Sequence, residues 1–110
     1  MAHRRLNVLD AATRAADGIT ELLDRFPRLL HVSQLRRSVQ SISANISEGF
    51  GRRPGRDRNR SLEIARGETE EAIQHLGANF RNNRIGPKDY WPLHNLLVVV
   101  VKMLNALLNR

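Results

Sequence analysis

Five arginines, Arg52, Arg53, Arg56, Arg58 and Arg60, crowd the stretch GFGRRPGRDRNR, with Asp57 as the one acidic residue among them. A guanidinium is a planar, permanently charged fork that fits phosphates and carboxylates and stacks on bases. Arginine at this density suits contact with a polyanion such as RNA or DNA. It equally suits a solvated hairpin whose charges pair with Glu48 and Glu63. The glycines at 49, 51 and 55 raise a third possibility, a loop that cradles a phosphate. Such a loop follows a strand and ends in Gly-Lys-Ser or Gly-Lys-Thr. No such ending is present, and the residues before it have helical phase. The cluster is therefore expected at a turn between two helices.

Glu68, Glu71 and His75 stand at steps of three and four, so they share one helix face. A di-iron bundle would need Glu-x-x-His pairs on two helices and glutamates on the other two. Here His75 follows Glu71 by four, and the last helix offers only Asp89 and His94. No metal site and no cofactor is expected. Glu68 and Glu71, with Ile64 continuing their face, are expected instead at a polar subunit contact. Cysteine is absent, which removes disulfides, thiolate zinc sites and a cysteine nucleophile. No serine sits in a nucleophile-elbow pattern. No catalytic residue is assigned, and the chain is not expected to be an enzyme.

The elements that must position these groups are legible in the spacing of apolar residues. Residues 6 to 26 carry Leu9, Ala12, Ala16, Ile19, Leu23 and Phe26 at alternating steps of three and four, and Pro27 stops them. Residues 32 to 50 carry Val32, Leu35, Val39, Ile42, Ile46 and Gly49. Residues 58 to 82 carry Leu62, Ala65, Thr69, Ala72, Leu76, then Asn79 or Phe80. Residues 89 to 109 carry Leu93, Leu97, Val100, Leu104 and Leu107, with Pro92 expected in the first turn. LVVVVK is the one strand-like run, but it lies inside a longer stretch of helical phase. Short connections make antiparallel neighbours. The fold expected is all-α, an antiparallel up-down-up-down four-helix bundle forming a single domain over residues 1–110.

Gly49 lies in phase with the apolar stripe. It is expected, with Asn45, at a close approach between helices, the second helix running on to about Arg53. Pro54-Gly55 is then the turn, and Asp57 or Asn59 would cap the third helix. The fourth helix is apolar beyond one stripe. Leu96, Val99 and Met103 line one flank; Val98, Val101 and Leu108 line the other. A helix apolar that far round is either fully internal or an interface between copies of the chain.

Taken together, SQLRRSVQSISANISEGFGR and LEIARGETEE resemble the four-helix-bundle family of 23S rRNA intervening-sequence proteins. Its pattern runs S-Q-L-R-R-A, S-I-x-x-N-I-A-E-G-F-G-R, then L-x-I-A-x-G-S-x-x-E. Ser33 to Arg37 match, as do Asn45 to Arg52 except Ser47, and then Leu62, Ile64, Ala65, Gly67 and Glu71. Ser38 and Ser47 stand where alanines are usual, and Glu68 where serine is usual. The resemblance implies a homo-oligomer, a pentamer, without enzymatic activity. It also implies a relation to the nucleic-acid-binding accessory proteins of diversity-generating retroelements.

Bulk composition fits that implication. The net charge is +7, and all but two of the eighteen basic residues are arginine. A small, strongly basic domain commonly binds nucleic acid. The N-terminus shows basic residues without an apolar run behind them, so no signal peptide is read there. The run LLVVVV is too short to span a bilayer. The expected partners are a second copy of the chain and RNA or DNA, with no membrane, in the cytoplasm. The alternative is a structural assembly module whose arginines only solubilise it.

Overall fold

The computed structural model describes residues 7–109, and among them the secondary structure is four helices with no strand. The first, α1 (Val8–Arg25), begins at a capping box. Asn7 Oδ1 accepts from the Asp10 N–H at 2.8 Å, and the Asp10 carboxylate accepts from the Asn7 N–H. The buried seam of α1 is Val8, Ala11, Ala12, Ala15, Ile19, Leu22 and Leu23. This corrects the expected stripe, because Leu9, Ala16 and Phe26 are only half-buried. Alanine pairs make two neighbouring stripes equally apolar in sequence, and only the position of the partner helices chooses between them.

The second helix, α2 (Val32–Phe50), stops three residues earlier than expected. The Gly51 N–H closes it onto the Ser47 and Glu48 carbonyls. Pro54 disfavours helical backbone at Arg53, which ends the run. α3 (Arg56–Arg81) then starts at Gly55, whose φ of +149° is a conformation glycine alone adopts freely. Neither Asp57 nor Asn59 caps it, contrary to expectation. Asp57 lies in the first turn, where a negative charge favours the positive end of the helix dipole.

The fourth helix, α4 (Pro87–Leu108), begins with Pro87 in its first turn, so Pro92 falls in the second turn and not the first. Its missing N–H removes the i+4 bond that the Lys88 carbonyl would otherwise accept.

Each helix packs on the next, and α4 closes onto α1. The contacts join late residues of one helix to early residues of its neighbour. Asp24 pairs with Arg36 at 3.2 Å, Arg25 with Asp89 at 2.6 Å, and Asn79 bonds the Leu30 backbone just ahead of α2. Neighbours therefore run antiparallel, and the α1–α2 and α3–α4 connections share one end of the bundle. The core is a sleeve of aliphatic side chains, with Ile19, Leu35, Ile46, Leu62, Leu76 and Leu97 fully buried. α4 is not internal. Tyr90, Leu97, Val100 and Leu104 are its buried residues, while Leu96, Val99 and Met103 are half-buried. It is 22 residues long and contains an 18-residue stretch with a mean hydropathy of 1.5, so by length and composition alone it could cross a membrane, which the short LLVVVV run could not. The fold uses it as one wall of the bundle.

Candidate nucleic-acid interface

The α2–α3 hairpin brings the five arginines to one end. Phe50 ends α2, Arg52 and Arg53 lie in the connection, and Arg56, Arg58 and Arg60 occupy the first turns of α3. All are exposed except Arg58, which is half-buried. Arg52 is paired with Glu48 at 2.9 Å across one helical turn. The Arg58 guanidinium stands 5.7 Å from the centre of the Phe50 ring. Among the described residues, Arg53, Arg56 and Arg60 have no ion pair. Glu63, an expected partner, pairs with none of them.

Two shallow depressions open between these groups. One is lined by Arg52, Arg53, Pro54, Gly55, Arg56 and Asp57. The other runs along the α2–α3 groove past Asn45, Glu48, Arg60 and the exposed Ile64. Both are open; the first sets three arginines against Asp57, and the second balances Arg52 and Arg60 against Glu48 and Asp57. They can receive the phosphates of a chain at the surface, and they do not enclose a small molecule.

Gly49 faces α3 from the last turn of α2. A methyl group on it would sit 2.9 Å from Leu62 Cδ2 and 3.5 Å from the Arg58 carbonyl oxygen. The hairpin is thus closed by the Leu62 side chain packing on this glycine, with the α3 backbone at ordinary van der Waals distance. Asn45 is half-buried one turn earlier and donates to the Ser41 carbonyl at 2.9 Å.

Further along the same groove, Glu68 and Glu71 form a network within the chain. Arg37 reaches Glu68 at 3.2 Å and Glu71 at 3.3 Å, and the Ser38 hydroxyl donates to Glu71 at 3.1 Å. Burial raises the Glu68 carboxyl above the ordinary glutamate value, and a hydrogen bond with Glu71 adds to the effect. Glu71 is lowered, first by that hydrogen bond and then by Ser38 and Arg37. His75 Nε2 lies 3.6 Å from Glu71, too long for a hydrogen bond, and its ring leans on His31. Among the described residues no three acidic or histidine side chains are arranged to hold a metal ion. Ser38 and Glu68, two of the positions that depart from the family pattern, therefore belong to one network.

The residues expected at subunit contacts do not gather on one surface. Ile64, Glu68 and Glu71 lie along the α2–α3 groove. Met103 borders a small apolar hollow with Asn7, Val8, Phe50 and Leu107 at the α1–α4 side, and Leu96 and Val99 continue its flank. The approach of Phe50 to Arg58 was not legible beforehand, since it depends on where α2 ends.

The 23S rRNA-intervening sequence protein family model matches residues 4–106. A similar solved structure is that of a protein of unknown function from the S23 ribosomal protein family of Bacteroides thetaiotaomicron. It is 25% identical, covers 94% of this chain and 99% of its own, and superposes with a TM-score of 0.85. No curated protein matches the chain.

Proposed function

Given that the chain belongs to the 23S rRNA-intervening sequence protein family, we propose that it is a non-enzymatic, homo-oligomeric bundle that binds RNA or DNA through its arginine hairpin. Its role is that of an accessory or scaffold. The observation that carries this reading is the charge at one hairpin. Five arginines meet only Asp57 and Glu48 there, and among the described residues Arg53, Arg56 and Arg60 have no ion pair. Phosphate contacts of this kind give affinity with little sequence preference.

Oligomerisation multiplies the effect. The apolar flank of α4 and the α2–α3 groove are two different surfaces, as a cyclic head-to-tail assembly requires. A pentamer would repeat the hairpin around a ring and bind a polyanion multivalently.

The test is salt-dependent binding to single-stranded and duplex RNA and DNA. Affinity should fall with a log-log slope of roughly −0.9 per neutralised duplex phosphate, or −0.7 for single strands. Replacing Arg53, Arg56 and Arg58 with glutamine should flatten that slope and leave the oligomer intact. An unchanged slope would move the contact off the hairpin. No binding by the wild type at about 50 mM salt, where phosphate contacts are strong, would favour a purely structural assembly module.

A further inference from the structure

The opposite end of the bundle carries a second cationic surface, and it holds the chain's single tryptophan. Trp91 is 46% exposed. Behind it, Phe80 of α3 and Tyr90 of α4 stack in parallel at 4.1 Å between ring centres. Trp91 meets Phe80 at 5.7 Å, Tyr90 at 4.8 Å and His94 at 5.3 Å, in each case edge-on. No ring lies flat against the indole, yet three rings hold it in place.

Basic side chains gather at this end. Lys88 stands one turn before Trp91 on α4. Arg81 follows Phe80, with its guanidinium over Gly77 beside the Tyr90 hydroxyl. Arg84 donates to the Arg28 carbonyl at 3.3 Å, which draws the two connections of this end together. Among the described residues, Arg28, Arg81, Arg84 and Lys88 pair with no carboxylate. Asp89 and Asp24 at this end are already paired, with Arg25 and Arg36. Asp89 also lies on the α1 side of α4, away from Trp91.

We propose that Trp91 is a base-stacking platform for single-stranded nucleic acid, with Lys88, Arg81 and Arg84 as its phosphate contacts. A pre-ordered indole loses little entropy on binding. Stacking on an aromatic ring adds affinity and tolerates any base. A duplex hides its base faces, so the surface selects single strands. A second copy of this +7 chain would bring like charge to the same patch. The contact goes beyond the arginine hairpin and stands or falls separately from it.

Trp91 reports on itself, because no other residue contributes indole fluorescence. Titrating the intact oligomer with oligo(dT) or oligo(U) at about 50 mM salt, where phosphate contacts are strong, should quench its emission saturably, and added salt should reverse the quenching. Trp91→Leu should weaken binding about 10-fold or more, as the loss of one base stack does. Trp91→Phe should restore most of it. Lys88→Gln with Arg81→Gln should flatten the salt slope by roughly 0.7 for each phosphate no longer neutralised. The quenching should persist when Arg53, Arg56 and Arg58 are glutamine, which separates this surface from the hairpin.

The proposal is overturned if bound oligonucleotide leaves the wild-type emission unchanged, a result that needs no variant and no refolding. It is also overturned if Trp91 in the free oligomer is blue-shifted and shielded from a soluble quencher, since a second copy would then cover it. Equal quenching by duplex and single strand would remove the stacking.

Discussion

Asn79, fully buried near the end of α3, holds both backbone polar groups of Leu30. Its Oδ1 accepts the Leu30 N–H at 2.6 Å and its Nδ2 donates to the Leu30 carbonyl at 3.0 Å. The same amide donates to the His75 carbonyl at 2.9 Å. One side chain thus ties the α1–α2 connection to α3. It stands at a position where helical periodicity alone asks only for bulk.

Replacing Asn79 with leucine keeps the branched four-atom side chain and removes the bonds. Each buried group left unsatisfied costs about 1–3 kcal/mol, and the connection is partly open to water. The expected loss is about 2–3 kcal/mol. Urea unfolding should show a lower midpoint with the same slope, and a protease should cut sooner after Arg28. A wild-type midpoint would mean that water replaces the amide without cost.

Three glycines form a graded comparison. A methyl on Gly49 meets the fully buried Leu62, so Gly49→Leu should overpack the seam by about 1–3 kcal/mol or more. A methyl on Gly18 meets the end of the half-buried Leu93 side chain, which can turn away. Gly18→Ala should be nearly neutral, because a gain of about 1 kcal/mol in helix propensity offsets the crowding. Gly67 faces open space, and Gly67→Ala should stabilise the fold by about 0.5–1 kcal/mol. Thermal melts that rank the three in any other order would contradict this packing.

The Glu68–Glu71 pair should give stability an opposed pH dependence. Glu68 holds its proton more tightly when folded, chiefly through burial. Its contribution is complete below the ordinary glutamate pKa and is lost as pH rises through the raised value. Glu71 is lowered by its hydrogen bond with Glu68. Its contribution is present above the ordinary value and is lost as pH falls through the lowered one. Glu68→Gln should remove the first loss, so its stability relative to wild type should improve as pH rises from mildly acidic to neutral. A difference that does not change with pH would show that Glu68 titrates normally.

Val99→Glu or Met103→Glu should break the proposed assembly while leaving the helices intact. Both side chains are half-buried, packed against the edge of the core with part of each left open on this flank of α4. Light scattering should move toward the 12.5 kDa monomer with unchanged helical circular dichroism. A variant that assembles like wild type would take the interface away from this flank.

Most of the fold was legible before the structure. The seams of α2 and α3, from Leu35 to Gly49 and from Leu62 to Asn79, lie at the positions that their three-four spacing marks. The arginine cluster was legible too, because a turn signal at Pro54-Gly55 compels the flanking charges to one end. The phase of α1 was not. Ala11, Ala12, Ala15 and Ala16 supply two stripes of equal apolarity, and side-chain spacing holds no information about where α2 and α4 stand.

By itself, then, the amino-acid sequence determined what is local. It set helix periods, the breaks at Pro27 and Pro54, and the excess of positive charge, all properties of residues within a turn or two of one another. The tertiary structure alone decided what is distant. It brought Asn79 to Leu30 across 49 residues and gave Glu68 and Glu71 to Arg37. It set Phe50 beneath Arg58 and left Trp91 uncovered at the far end. Those pairings depend on the rotation and end-to-end register of whole helices, which the packing of the entire core determines at once.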